Sequence, residues 1–180
     1  MKRRTFLTGA ALGGAAVATS LALSGRRGAA PQGVPAGLKV FSADEAATLG
    51  AIAARIVAPL DSVKLQLVSK LDTLISTADS VTQHDLKQLV GLIDNPLASL
   101  AFDGRWTRFT ELGAAEQDRA LEAWRDSRVP DRRSGFQALQ RLCLAVAYAD
   151  ASLYPGIGYP GPPILVRKDG SAVGGPDGAP

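Results

Sequence analysis

Apolar residues recur along this chain at helical spacing, interrupted by short polar turns. Ser42-Ala43-Asp44-Glu45 opens the first such stretch and fits a capping box, in which the Ser hydroxyl accepts a backbone N–H and Glu45 reaches back to the start of the helix. Behind it Leu49, Ile52, Ala53, Ile56 and Val57 fall on one face, and Pro59 ends the helix. A second helix, over Ser62 to Ser80, carries Leu67, Val68, Leu71, Leu74 and Ile75 as its stripe. Thr82-Gln83-His84-Asp85 reads as the next helix start, with Leu86, Leu89, Val90 and Ile93 as its apolar face and Asn95-Pro96 as its stop. Trp106, Phe109 and Leu112 form a short apolar turn before Gly113, and Glu116 to Arg128 carries Leu121 and Trp124. The last helix, from about Asp131 to Asp150, starts amphipathic with Phe136 and Leu139. From Leu142 to Ala149 it is apolar on all sides, which predicts a place at the centre of the bundle.

No stretch alternates apolar and polar residues with β-branched enrichment, so no substantial sheet is expected. The pattern predicts an all-α protein, a small helical bundle of about five helices over residues 41–153. A Gly/Pro-rich linker over 31–40 precedes it. A Tyr/Pro/Gly-rich segment over 154–168 follows, where no regular helix can persist. Residues 169–180 have the composition of a disordered tail.

The first 30 residues read differently. Arg3 and Arg4 precede Thr5, Phe6 and Leu7 and then an uncharged run of Ala, Gly, Val and Leu that ends before Arg26 and Arg27. That is the layout of a twin-arginine export signal, which carries folded proteins across a bacterial inner membrane. The run is poor in large apolar residues for a spanning helix. A cleaved signal is expected, with a permanent anchor as the alternative. Both Ala22-Leu23-Ser24 and Gly28-Ala29-Ala30 present small residues for processing.

Charge changes sign with this segment. The whole chain of 180 residues carries 20 Lys and Arg against 17 Asp and Glu, a net +3. Lys2, Arg3, Arg4, Arg26 and Arg27 all precede the first acid, Asp44, so the remainder has 15 basic and 17 acidic side chains, a net −2. The basic excess belongs to targeting, and nucleic acid is not an expected partner.

Candidate chemistry is sparse. The lone cysteine, Cys143, lies within Leu142-Cys143-Leu144-Ala145-Val146 and reads as a buried thiol, with a bond to a partner chain as the sharper alternative. His84 is the single histidine, so any Ser-His-Asp triad would have to include it; its polar surroundings favour a solvated surface residue. One His and one Cys are too few for a zinc or haem site, and no Gly-rich loop follows a strand. The acids Asp44, Glu45, Glu116 and Asp118 sit in first turns, where they complement the helix dipole. Arg125, Arg128, Arg132 and Arg133 alternate with Asp126 and Asp131 and read as a salt-bridged, solvated face, with a docking surface for a partner as the alternative. No catalytic, cofactor-binding or metal-ligating residue is predicted.

Tyr154-Pro155-Gly156-Ile157-Gly158-Tyr159-Pro160-Gly161-Pro162-Pro163 is too rich in aromatic and apolar residues for a spacer. Proline lowers the cost of ordering an extended segment, glycine allows close approach, and tyrosine supplies contact area. Tyr154, Gly158, Tyr159, Pro160, Gly161 and Pro162 are therefore candidate partner contacts, alongside Cys143. Folding back onto the chain's own bundle is the alternative, and the two are compatible.

With Trp124-Arg125-Asp126-Ser127-Arg128, Phe136-Gln137-Ala138-Leu139-Gln140-Arg141-Leu142 and Ile157-Gly158-Tyr159-Pro160-Gly161-Pro162, the chain resembles the gluconate 2-dehydrogenase subunit 3 family from about Phe41 to Pro163. These are small subunits of membrane-associated, flavin-dependent sugar and alcohol dehydrogenases. The resemblance implies a non-catalytic role. The large subunit, of the glucose-methanol-choline oxidoreductase type, would hold FAD and oxidise the substrate. The small subunit would escort it, folded, through the twin-arginine translocase to the periplasm and remain bound, with a cytochrome c subunit as a further partner. Two other readings stand beside it: an independent exported helical adaptor, and a small exported hydrolase built on His84.

Overall fold

The computed structural model describes residues 34–159 together with the short segments 165–166 and 172–173. The described residues form six α-helices: α1 (Ala43–Ile56), α2 (Leu67–Ser76), α3 (Ser80–Ile93), α4 (Pro96–Asp103), α5 (Ala114–Arg125) and α6 (Pro130–Tyr148). They belong to two compact units that divide between Ala147 and Tyr148. The first unit is the all-α bundle that the apolar spacing predicts.

Helix α1 starts as its sequence dictates. The Ser42 hydroxyl accepts the Glu45 N–H at 3.3 Å, and the Glu45 carboxylate accepts the Ser42 N–H at 2.8 Å. Helix α3 starts two residues before the expected Thr82, because Asp79 is the cap and accepts the N–H groups of Val81 and Thr82 at 3.0 Å each. Helix α2 is shorter than the span from Ser62 suggested, and the residues before it form turns closed by Asp61.

The centre of the bundle is α1 rather than the C-terminal helix. Its Leu49, Ile52 and Ala53 are buried, and it packs against α2, α3, α5 and the 3-10 turn Phe109–Glu111. Helix α6 buries a single stripe, Arg132, Phe136, Leu139, Cys143 and Val146, while Ala145 lies exposed on the opposite side. Small alanine side chains make a face look apolar without requiring burial. Gly135 of α6 lets that helix approach α3: a Cβ there would stand 2.6 Å from Leu89 Cδ1.

Three buried or bridging carboxylates tie the bundle together. Asp72, buried on α2, accepts the N–H groups of Lys39, Val40 and Phe41 at 2.7, 2.9 and 3.0 Å. The end of the expected linker is thus strapped to the bundle. Asp94, at the end of α3, accepts Arg108 Nε at 2.8 Å, and the Thr110 N–H and hydroxyl at 2.9 Å each. It holds the turn that sends Phe109 into the core. Arg55 of α1 grips Asp118 of α5 with two bonds of 2.7 Å, so Asp118 does more than complement a helix dipole.

The second unit contains two 3-10 turns, Ala151–Leu153 and Pro155–Ile157. It also holds a two-residue antiparallel ladder that pairs Leu165 with Val173 and Val166 with Ala172. The remainder of the expected disordered tail lies outside the described residues.

Candidate functional site

Four of the sequence-derived site residues, Arg3, Arg4, Phe6 and Leu7, lie outside the described residues, as do Pro160, Gly161 and Pro162. The described part of the aromatic segment has a definite local structure. Gly158 adopts the left-handed conformation, with φ +67°. Its N–H donates to the Pro155 carbonyl at 3.3 Å, and the Tyr159 N–H donates to the Tyr154 carbonyl at 3.0 Å. This pair of bonds is a Schellman closure with glycine at its left-handed position. The rings of Tyr154 and Tyr159 then meet edge to face, with centroids 5.0 Å apart. The left-handed φ at 158 favours glycine, and the aromatic pair joins the two ends of the turn.

Cys143 is fully buried on α6. Burial alone pushes its thiol up to about 12. In this structure the sulfur is a piece of the core and is not offered to a second chain.

The structure adds a face that sequence reasoning missed. Asn95-Pro96 ends α3 and also begins α4: Asn95 caps the new helix by accepting the Leu97 N–H at 2.9 Å, and Pro96 occupies its first turn. Helix α4 is largely apolar, yet it buries only Ser99. Leu97 and Ala101 lie on the side opposite Ser99, Leu100 lies at its flank, and Leu97 and Leu100 remain 45% and 46% exposed. Phe102 is half exposed, and Trp106, expected in an apolar turn with Phe109, is 62% exposed.

Arg132 sits behind this face. Its guanidinium lies over two rings, with centroids 4.8 Å away for Phe102 and 4.9 Å away for Trp124. It donates to both Asp103 oxygens, at 3.0 and 3.3 Å. With only 6% exposure it does not belong to the solvated basic face expected of it. Arg125, by contrast, is exposed and pairs with Asp126. The spacing of Arg132, Phe136, Leu139 and Cys143 is that of one helical stripe, and this was the available signal for its burial.

His84 is exposed in the second turn of α3, with its ring nitrogen Nε2 2.8 Å from Gln88 Nε2. Among the described residues no helix is long and apolar enough to cross a membrane, and no three His, Cys, Asp or Glu side chains converge as a metal site. The fold and this face define a class: a small helical domain with an outward apolar face. No family model matches the chain, and no curated protein or solved structure matches it.

Proposed function

We propose that this chain is the non-catalytic small subunit of a periplasmic or membrane-associated, FAD-dependent sugar or alcohol dehydrogenase. It escorts the folded, FAD-bearing large subunit through the twin-arginine route and then stabilises the complex. The observation that carries the structural side of this reading is α4. A helix with Leu97 and Leu100 turned outward, continued by Trp106, presents apolar surface of the kind that protein partners cover. The Arg3-Arg4 pattern supplies the export half, and the family resemblance supplies the nature of the cargo.

The division of labour follows from chemistry. A flavoprotein must bind FAD before export, so it crosses the membrane folded. A small partner with its own leader can carry it while contributing no reacting group. Replacing Arg3 and Arg4 by lysine should leave both proteins in the cytoplasm. Co-purification of the chain from membranes should bring a yellow flavin absorbance with it. Export of the flavoprotein in the absence of this chain overturns the escort role. An exported partner without flavin favours the independent adaptor.

A further inference from the structure

We propose that the cleft between α4 and α5, with the outward stripe of α4 beside it, receives a segment of the partner polypeptide that carries a carboxylate next to aliphatic or aromatic side chains. This inference rests on the escort reading for the identity of the partner and on the structure for the place and chemistry of contact.

The cleft, about 180 Å³, is lined by Asp103, Arg105, Glu116, Arg119 and two alanines of α5. Asp103 is shared between two guanidiniums: Arg132 at 3.0 Å and Arg105 at 3.5 Å. Arg119 has no acidic partner among the described residues, and its Nε donates to the Ala115 carbonyl at 3.2 Å. Glu116 is engaged with the Gly113 N–H at 3.3 Å. Two guanidiniums and two carboxylates thus line the cleft, and one of these carboxylates, Asp103, is also drawn on by Arg132 behind it. An incoming carboxylate between Arg105 and Arg119 completes the set with charge-assisted bonds.

The second observation is the Arg132 side chain. It is more than nine-tenths buried, and its Nε finds no acceptor within the protein. A small void of about 10 Å³, lined by Ser99, Phe102, Asp103, Arg105, Trp124 and Arg132 among others, shares Asp103 and Arg105 with the larger cleft. A void of that size admits a single oxygen-sized group. Cationic donors are therefore concentrated on one spot, where the fold itself supplies too few acceptors.

The third observation sets the flanks. Leu100 lies one helical turn before Asp103, so this exposed leucine flanks the cleft without lining it. A segment seated in the cleft has its neighbouring side chains over Leu97 and Leu100. An apolar residue beside the acid matches that surface, and a wholly polar acidic segment does not.

The test uses the full chain co-expressed with a candidate FAD-dependent dehydrogenase large subunit. p-Benzoylphenylalanine in place of Leu100 should cross-link to a partner peptide that holds Asp or Glu within a few residues of an aliphatic or aromatic side chain. Arg119→Glu and Leu100→Ser should each weaken the complex ten-fold or more. The Arg119→Glu effect should shrink as salt rises, and Arg128→Glu, an equal charge change on exposed surface, should leave affinity unchanged. A cross-link to a second copy of this chain, or to residues 160–180 of its own tail, overturns the inference. So does unchanged affinity in both variants while the flavoprotein still co-purifies, and in that case the escort role survives. Cross-linking of such an acidic, apolar peptide from an exported protein without flavin does the reverse: the cleft is upheld and the escort role falls.

Discussion

The Asp72 carboxylate on α2 accepts the backbone N–H of Phe41 at 3.0 Å, joining residues 31 apart in the chain. Lys39 and Val40 donate to the same carboxylate. Burial pushes this carboxyl up, but the three N–H donors more than offset it and hold it below the usual carboxylate range. A depressed native pKa means that the unfolded chain takes up protons first as pH falls. The stabilisation is therefore complete above about pH 4, the unfolded value, and is lost as pH drops through the lower native value. Asp72→Ala should cost about 3 kcal/mol, because it strands three N–H donors. Asp72→Asn should cost less and flatten the acid limb of the stability curve. Urea titrations between pH 3 and 7 would read both effects.

Asp94 gives a second stability prediction. It is buried and holds Arg108 and both donors of Thr110. Asp94→Ala should destabilise by about 2 kcal/mol, with Thr110→Val costing less because Thr110 keeps its backbone bond. A double-mutant cycle with Arg108→Gln should show strong coupling. Additive effects would mean that Asp94 acts mainly as the end of α3 and not as a clamp on the Phe109 turn.

Gln66 is left-handed, with φ +52°, at the start of α2. An ordinary side chain pays roughly 1–2 kcal/mol there, and glycine does not. After the entropy that glycine loses on folding, Gln66→Gly should stabilise by about 0.5–1 kcal/mol. A drop in thermal midpoint would contradict the assigned conformation.

Gly158→Ala tests the aromatic clasp. No atom lies within 4 Å of the added Cβ, so its cost comes only from the left-handed φ. The Tyr159 N–H, which donates to the Tyr154 carbonyl, should exchange with solvent several-fold faster in the variant, while the Phe41 and Thr110 amides are unaffected.

The buried Cys143 thiol should resist maleimide at pH 8 in the native protein and react at once in denaturant, since its pKa is raised to about 12. Rapid native labelling would show that the α6 stripe opens, and a partner disulfide would then be feasible.

What the sequence discloses here is what is local. The Ser42–Glu45 box needs residues three apart, and the stripes of α1 and α3 need only a period. Helix α4 was hidden because Asn95-Pro96 serves as stop and start within two residues. The strap on Asp72 was hidden because its donors are backbone groups, which no residue type announces. Asp72 itself stands beside Leu71 on a buried face, and an acid in that position was a usable hint. Arg132 misled through its neighbours in sequence, which are exposed, whereas its neighbours at helical spacing are buried.

The chain's two tryptophans differ sharply in environment. Trp106 stands 62% exposed just after α4, and Trp124 is buried at 5% against the Arg132 guanidinium, which also lies over the Phe102 ring. The protein is thereby equipped with an outer and an inner fluorophore near one patch. Acrylamide should quench Trp106 selectively in the free protein. Phe102, half exposed, and buried Trp124 both lie against the Arg132 guanidinium, so a partner settling on Phe102 should shift the emission of Trp124, which a fluorescence titration with that partner would read.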